Sequence, residues 1–199
     1  MMGTGNSNMY PDSLTEIGDT AFAGCTALRS VELGEGIVDI GKQAFYYCTA
    51  LTDIVFPESV LTIGTSAFEY CTSLTSALIN DGVSSIGGYA FAECKNLRTL
   101  VLPTNITEIP DGMLFNCPAV INLTVPNRVK EIKENAFCGC LSLKALSLPI
   151  SLEKVGKNAF LGCDKLENIS YPGTDADREK ITVEGGNTTF TELFLGGAE

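Results

Sequence analysis

The chain has 199 residues, 45% of them hydrophobic, and carries 24 acidic against 13 basic side chains for a net charge of −11. That apolar content is enough for a sizeable core and excludes disorder by composition, while the negative field argues against nucleic acid and anionic membrane as partners. Histidine is absent, which removes the commonest general base and the commonest transition-metal ligand at once.

Residues 1–9 have neither a basic n-region nor an apolar h-region, and no run of eighteen apolar residues follows anywhere, so this chain shows no signal peptide and no membrane insertion. They are read as a disordered or truncated start. At Tyr10 the chain enters a repeat midway, with Pro11 and Leu14 in register with Pro57 and Val60. This is expected either of a fragment of a longer array or of a short disordered start in place of a cap.

From residue 10 to residue 172 the chain is an array of seven 23-residue units without insertion or deletion. Ile17, Ile40, Ile63, Ile86, Ile109, Ile132 and Val155 open the units. Phe22, Phe45, Phe68, Phe91, Leu114, Phe137 and Phe160 follow, then Cys25, Cys48, Cys71, Cys94, Cys117, Cys140 and Cys163, and then a Leu or Val slot from Leu28 to Leu166. Two further apolar slots, Val31/Leu33 in the first unit and their copies onward, alternate with polar residues. That period of two marks a short half-buried strand near residues 29–33 of the frame. A second extended segment is expected near 37–40, and a turn of helix or 3₁₀ around the Ala-Phe pair, as in Gln43–Tyr47. Pro57, Pro103, Pro126, Pro149 and Pro172 end the strands, because proline cannot donate to a ladder. Gly18, Gly41, Gly64, Gly87 and Gly156 are expected to supply a positive φ before the Ala-Phe turn. A unit this small cannot bury its own apolar face, so units must stack, with strands about 4.8 Å apart and seven turns spanning roughly 35 Å.

The register fails after Pro172. Gly173–Lys180 is polar and helix-compatible, Ile181–Val183 is a candidate strand, and Phe190, Leu193 and Phe194 are expected to cover the last coil, which makes residues 173–199 a C-terminal cap.

The stretch IGKQAFYYCTALTDIVFP, Ile40 to Pro57, resembles the BspA-like leucine-rich repeats, also called the Treponema pallidum type. The ending YPGTDADREKI, Tyr171 to Ile181, is similar to the tail of many such proteins, although Arg178 stands where an aromatic is usual. The resemblance implies a leucine-rich-repeat-type right-handed coil, with a parallel β-sheet on one face and short turns or helical segments opposite. It also implies a cell-surface or secreted protein of bacteria or protists engaged in adhesion or protein binding. The fifth unit departs from the pattern with Pro110 in the glycine slot and the sixth with Lys133; these changes bear on a local kink, not on the fold.

No catalytic, cofactor-binding or metal site emerges. The seven cysteines of one slot are read as reduced, buried thiols acting as small core residues, because stacked copies are spaced further apart than disulfide geometry favours; occasional bridges and metal are the alternatives. Cys138 lies outside that slot and is the expected exposed thiol. The carboxylates are scattered over a solvated acidic face, and the sequons at Asn105, Asn122, Asn168 and Asn187 are of a number that chance explains. Three functions are weighed: a binding or adhesion module, with a protein, matrix or host-surface partner; an architectural spacer in a larger surface protein; and, least favoured, a thiol-dependent enzyme. The candidate contact residues lie on the outward row between the two buried strand slots: Glu32, Val55, Leu78, Val101 and Thr124, with Asp53 and Thr99 in the parallel row. Val55, Leu78 and Val101 would form an exposed apolar stripe, unless they serve β-propensity alone.

Overall fold

The computed structural model describes residues 14–196, so the start at residues 1–9 and the entry at Tyr10 lie outside the described residues. In chain order the elements are β1 (Glu16–Ile17), β2 (Asp39–Ile40), β3 (Asp53–Val55), β4 (Thr62–Ile63), β5 (Ser76–Leu78), β6 (Ser85–Ile86) and β7 (Thr99–Val101), then β8 (Glu108–Ile109), β9 (Asn122–Thr124), β10 (Glu131–Ile132), β11 (Ala145–Ser147), β12 (Lys154–Val155) and β13 (Asn168–Ser170). They close with α1 (Asp175–Arg178), β14 (Thr182–Val183) and α2 (Thr188–Leu195).

Pairing is parallel throughout and joins each strand to its copy one unit away, as in Ile17 with Ile40 and Val55 with Leu78 with Val101. The result is a solenoid of seven coils with two ladders. The main ladder carries β3, β5 and β7, then β9, β11 and β13; the short one carries β1, β2, β4 and β6, then β8, β10, β12 and β14. In the first coil the main strand shrinks to one bridge between Glu32 and Val55. A single core runs the length of the stack.

Opposite the main ladder, the Ala-Phe segments form hydrogen-bonded turns and not the expected turn of helix. Alternate N–H groups close i→i−3 turns, as in Tyr46 to Gln43 O. The ones between cross to the next coil: Gln43 to Thr65 O at 2.9 Å, Phe45 to Ala67 O at 2.8 Å and Tyr47 to Glu69 O at 2.8 Å. A helix would spend every N–H internally, so this alternation requires left-handed residues to turn successive amides outward. Two positions per coil supply them. The first holds Thr20, Gln43, Ser66, Tyr89, Gly112, Asn135 and Asn158; the second holds Gly24, Tyr47, Tyr70, Glu93, Asn116, Gly139 and Gly162, all at φ between 55° and 78°.

The glycine slot therefore has a different reason from the one expected. Gly41, Gly64, Gly87 and Gly156 do not adopt positive φ. A Cβ on Gly87 would lie 2.3 Å from the Thr65 nitrogen, and one on Gly64 2.6 Å from the Gly41 carbonyl carbon. Glycine is there because the neighbouring coil's backbone occupies the space.

At the far end, β14 pairs with β12, the Phe190 ring stacks on Phe160 at 4.5 Å, and Phe194 is buried. Leu193, expected to cover the last coil, points outward instead: α2 has one buried face, and the spacing of Phe190 and Phe194 uses it. Asn187 continues the coil-to-coil bonding with its side chain. Its Oδ1 accepts the Phe160 N–H at 2.9 Å, where a backbone carbonyl would otherwise stand, and its amide donates to Gly156 O and Glu184 O. A buried amide so used cannot be a glycosylation acceptor.

Both ladders are interrupted at one junction. Between coils four and five β7 does not pair with β9, nor β6 with β8. At each of the other junctions between coils, the amide in the glycine slot donates to the Ile slot of the preceding coil, as in Gly87 to Ile63 O at 2.7 Å and Lys133 to Ile109 O at 2.9 Å. Pro110 has no N–H to give Ile86. Lys133, which also departs from glycine, keeps its N–H and keeps the bond, so the missing donor accounts for the break in the short ladder, and the main ladder parts between the same two coils. The turn side stays zipped: Tyr89, Phe91 and Glu93 donate to Asp111, Met113 and Phe115 at 2.8, 3.1 and 2.7 Å.

If coil-to-coil contact dictates the glycines, Gly87→Ala should lower the urea midpoint by the equivalent of about 1–3 kcal/mol, whereas Gly185→Ala, whose Cβ would meet nothing within 4 Å, should leave it unchanged. Equal effects of the two substitutions in urea denaturation would contradict this account.

Candidate protein-binding face

The main ladder alternates by pleat, so the residue between the two buried slots faces outward. Val55, Leu78 and Val101 are 76, 57 and 49% exposed, on the three adjacent strands β3, β5 and β7. Glu32 pairs with Val55 at the N-terminal end of the row, and Asp53 and Thr99 are exposed two residues earlier on β3 and β7. The structure thus brings six of the seven candidate residues onto one sheet. Thr124 is exposed as well but sits on β9, across the interruption.

That interruption opens a cleft of about 390 Å³ on the main ladder, floored by Leu100, Leu102, Leu123 and Val125 and rimmed by Thr104, Asn122, Thr124 and Asn127. Reading the sequence for outward residues missed it, although Pro110 was the signal. Exposed Ile121 beside it was also missed. On the turn side Tyr46, Tyr47 and Tyr70 cluster with ring centroids 5.6 to 6.1 Å apart, and Glu93 beside Tyr70 raises its phenol above the usual range.

Charge is unevenly distributed along the stack. Eleven carboxylates face two cations before Lys95, a net −9, and thirteen face eleven from there on, a net −2. The later half ties its charges across coils: Lys133 to Glu108 at 2.6 Å, Lys130 to Glu153 at 2.9 Å, and Lys154 to Glu131 and Glu184 at 3.1 and 3.0 Å. The stripe lies in the half where, among the described residues, no such pair is found before Glu93.

The thiols are free. Six of the slot's seven are buried, and each Sγ donates to a carbonyl 26 residues earlier, as in Cys71 to Phe45 O at 3.2 Å and Cys94 to Phe68 O at 3.2 Å. Burial pushes Cys48 up to about 11 and Cys71, Cys117 and Cys163 up to about 12, and holds Cys94 and Cys140 well above the usual thiol range. Such groups are poor nucleophiles at neutral pH. Cys25 departs from the expected pattern: it is exposed, while Cys138 is half-buried. No group of His, Cys, Asp or Glu among the described residues could hold a metal ion, and no described helix is long and apolar enough to cross a membrane.

The family model for the BspA type leucine rich repeat region matches residues 6–120 and 107–182, in six copies. A Treponema pallidum leucine rich repeat protein superposes with a TM-score of 0.73 at 33% identity, covering 77% of this chain and 72% of that one. A leucine rich cell surface protein from Faecalibacterium prausnitzii superposes at 0.66 with 29% identity, over 88% of this chain and 56% of that one. A leucine-rich repeat protein from Bacteroides ovatus does so at 0.70 with 28% identity, over 87% and 50%. The chain spans about half the length of the last two. No curated protein matches it.

Thiol reagent applied to the native protein should modify Cys25 quickly and Cys138 more slowly, and reach the remaining six only after denaturation. The sign with pH follows from burial. The six thiols have folded pKa values raised above the ordinary value near 9, so their contribution is fully present below pH 9 and is lost as pH climbs through 11 and 12. Melting curves should fall over that window, and eight fast thiols at pH 7 would contradict the assignment.

Proposed function

Since the chain belongs to the family of BspA type leucine rich repeat proteins, we propose that it is a non-enzymatic protein-binding module that docks a partner through the main ladder, at a cell surface. The observation that carries this reading is the stripe of Val55, Leu78 and Val101, contiguous on three paired strands, with polar Glu32, Asp53 and Thr99 around it. An apolar centre with a polar rim is the composition of a protein interface. β-propensity alone does not account for it. The same slot is Thr124, Ser147 and Ser170 in later coils, so the strand tolerates small polar residues there, and Leu78 is not β-branched.

The absence of histidine and the raised thiols leave no activated nucleophile among the described residues, which supports a binding role. The surface location rests on family membership and on the Faecalibacterium prausnitzii relative, which is described as a cell surface protein.

The test compares the protein with the triple variant Val55→Ser, Leu78→Thr, Val101→Thr for binding to purified host-cell surface and matrix proteins by surface plasmon resonance. Affinity should drop by about tenfold or more, or roughly 1.4 kcal/mol, with an unchanged melting temperature because the side chains point into solvent. Equal affinity in the two proteins would remove the stripe from the interface.

A further inference from the structure

The junction between coils four and five leaves unused main-chain groups and an uncovered apolar floor on the same face as the stripe. At every other junction between coils an amide of the main ladder donates to the preceding coil: Thr75 to Thr52 O, Arg98 to Thr75 O and Lys144 to Ile121 O at 3.0, 2.9 and 2.7 Å. The corresponding bond from the Ile121 N–H to the Arg98 carbonyl is not made. Arg98 and Ile121 immediately precede β7 and β9, so the two strands that flank the cleft offer an acceptor on one side and a donor on the other. Beneath them the core is less covered than elsewhere. Leu100 and Leu102 are 8 and 7% exposed, while residues in the same two slots of coils two, three, five and six are at most 5% exposed.

We propose that this cleft seats an extended polypeptide segment of a partner, which places one bulky apolar side chain over Leu100, Leu102 and Leu123 and offers its own peptide N–H and C=O to Arg98 O and the Ile121 N–H. The inference rests on the protein-binding reading and deepens it by naming the chemistry of the segment bound. An extended peptide is the ligand whose backbone carries a donor and an acceptor at each residue while its side chains alternate between floor and solvent. About 390 Å³ is within the range of sites that hold a compact apolar group. No Lys or Arg lines the cleft, so it has no cation to pair with a phosphate-bearing ligand. The cleft is continuous with the stripe through Val101, which borders both. The turn side stays hydrogen-bonded across the junction, so the stack is held together there while the cleft is occupied.

The probe is N-acetyl-phenylalanine methylamide, which has one aromatic side chain flanked by two peptide groups. Titrated into ¹⁵N-labelled protein, it should shift the amides of Ile121, Asn122, Thr124 and Thr104 saturably, and N-acetyl-serine methylamide should not. Pro110→Gly restores the missing donor and should close the cleft, weakening the response by about tenfold or more; Asn122→Trp, which fills the mouth from an exposed position, should do the same. Val55→Ser with Leu78→Thr should leave it intact, so failure of the cleft and failure of the stripe are read separately. Undiminished shifts in Pro110→Gly and Asn122→Trp, an equal response to the serine compound, or shifts absent from the cleft amides would overturn the proposal.

Discussion

The structure depends on one constraint: each coil must superpose on the next with its backbone close enough to hydrogen-bond along the two ladders and along the turn side. A residue is tolerated only if its copy 23 residues away leaves it room and answers its polar groups. Glycine after the Ile slot follows from the first condition. The left-handed positions before and after the Ala-Phe segment follow from the second, since only that conformation sends alternate amides across to the next coil. Ten of these positions carry side chains, and left-handed backbone disfavours any L-residue by about 1 kcal/mol or more. The crossing bonds offset this at every coil, because a buried amide left unpaired would cost a comparable amount.

The buried cysteines answer the same demand. A carbonyl at the Phe slot already accepts one turn amide, as Phe45 O does from Cys48 N, and the thiol of the next coil reaches its second lone pair. Alanine would leave that carbonyl with one bond, and serine would bring a hydroxyl into an apolar slot. The phenylalanines stack face to face from Phe22 to Phe91 with centroids 5.1 to 5.3 Å apart. Leu114 breaks that column in the same coil that holds Pro110, while Met113 in the alanine slot adds bulk beside it and stays buried.

Much of this was legible in the sequence. The 23-residue register anticipated most of the buried slots and the two strand segments, because burial and pleat act on side-chain pattern and the pattern is strictly periodic. The turn side was not legible. Thr20, Gln43, Ser66 and Tyr89 share no side-chain chemistry, so nothing in their identities marks a common left-handed backbone, and the glycine nearby drew that role to itself. Cys25 shows that repeat position alone does not set burial, since it is exposed while its six copies are buried. Pro110 is visible in the sequence, but its consequence depends on which carbonyl its missing N–H would have met, and that partner is defined only once the coils are stacked. Leu193 failed for a smaller reason, the phase of a two-turn helix.

An exposed apolar row on a β-sheet face is ordinarily a liability, since a second copy can cover it as well as any partner. Here the row lies in the half of the molecule that carries net −9, and the ion pairs that neutralise the later coils do not extend to it. Two copies meeting through this face would bring their uncompensated carboxylates together, Glu32 and Asp53 among them, which opposes self-association while leaving contact with a neutral or basic partner favourable. The same field acts beyond contact distance and favours encounter with a cationic surface, whereas the proposed contacts of the stripe and the cleft would act only once surfaces meet. On the proposed binding role, charge would select against the protein's own copies, and the apolar and main-chain groups would define what binds in their place.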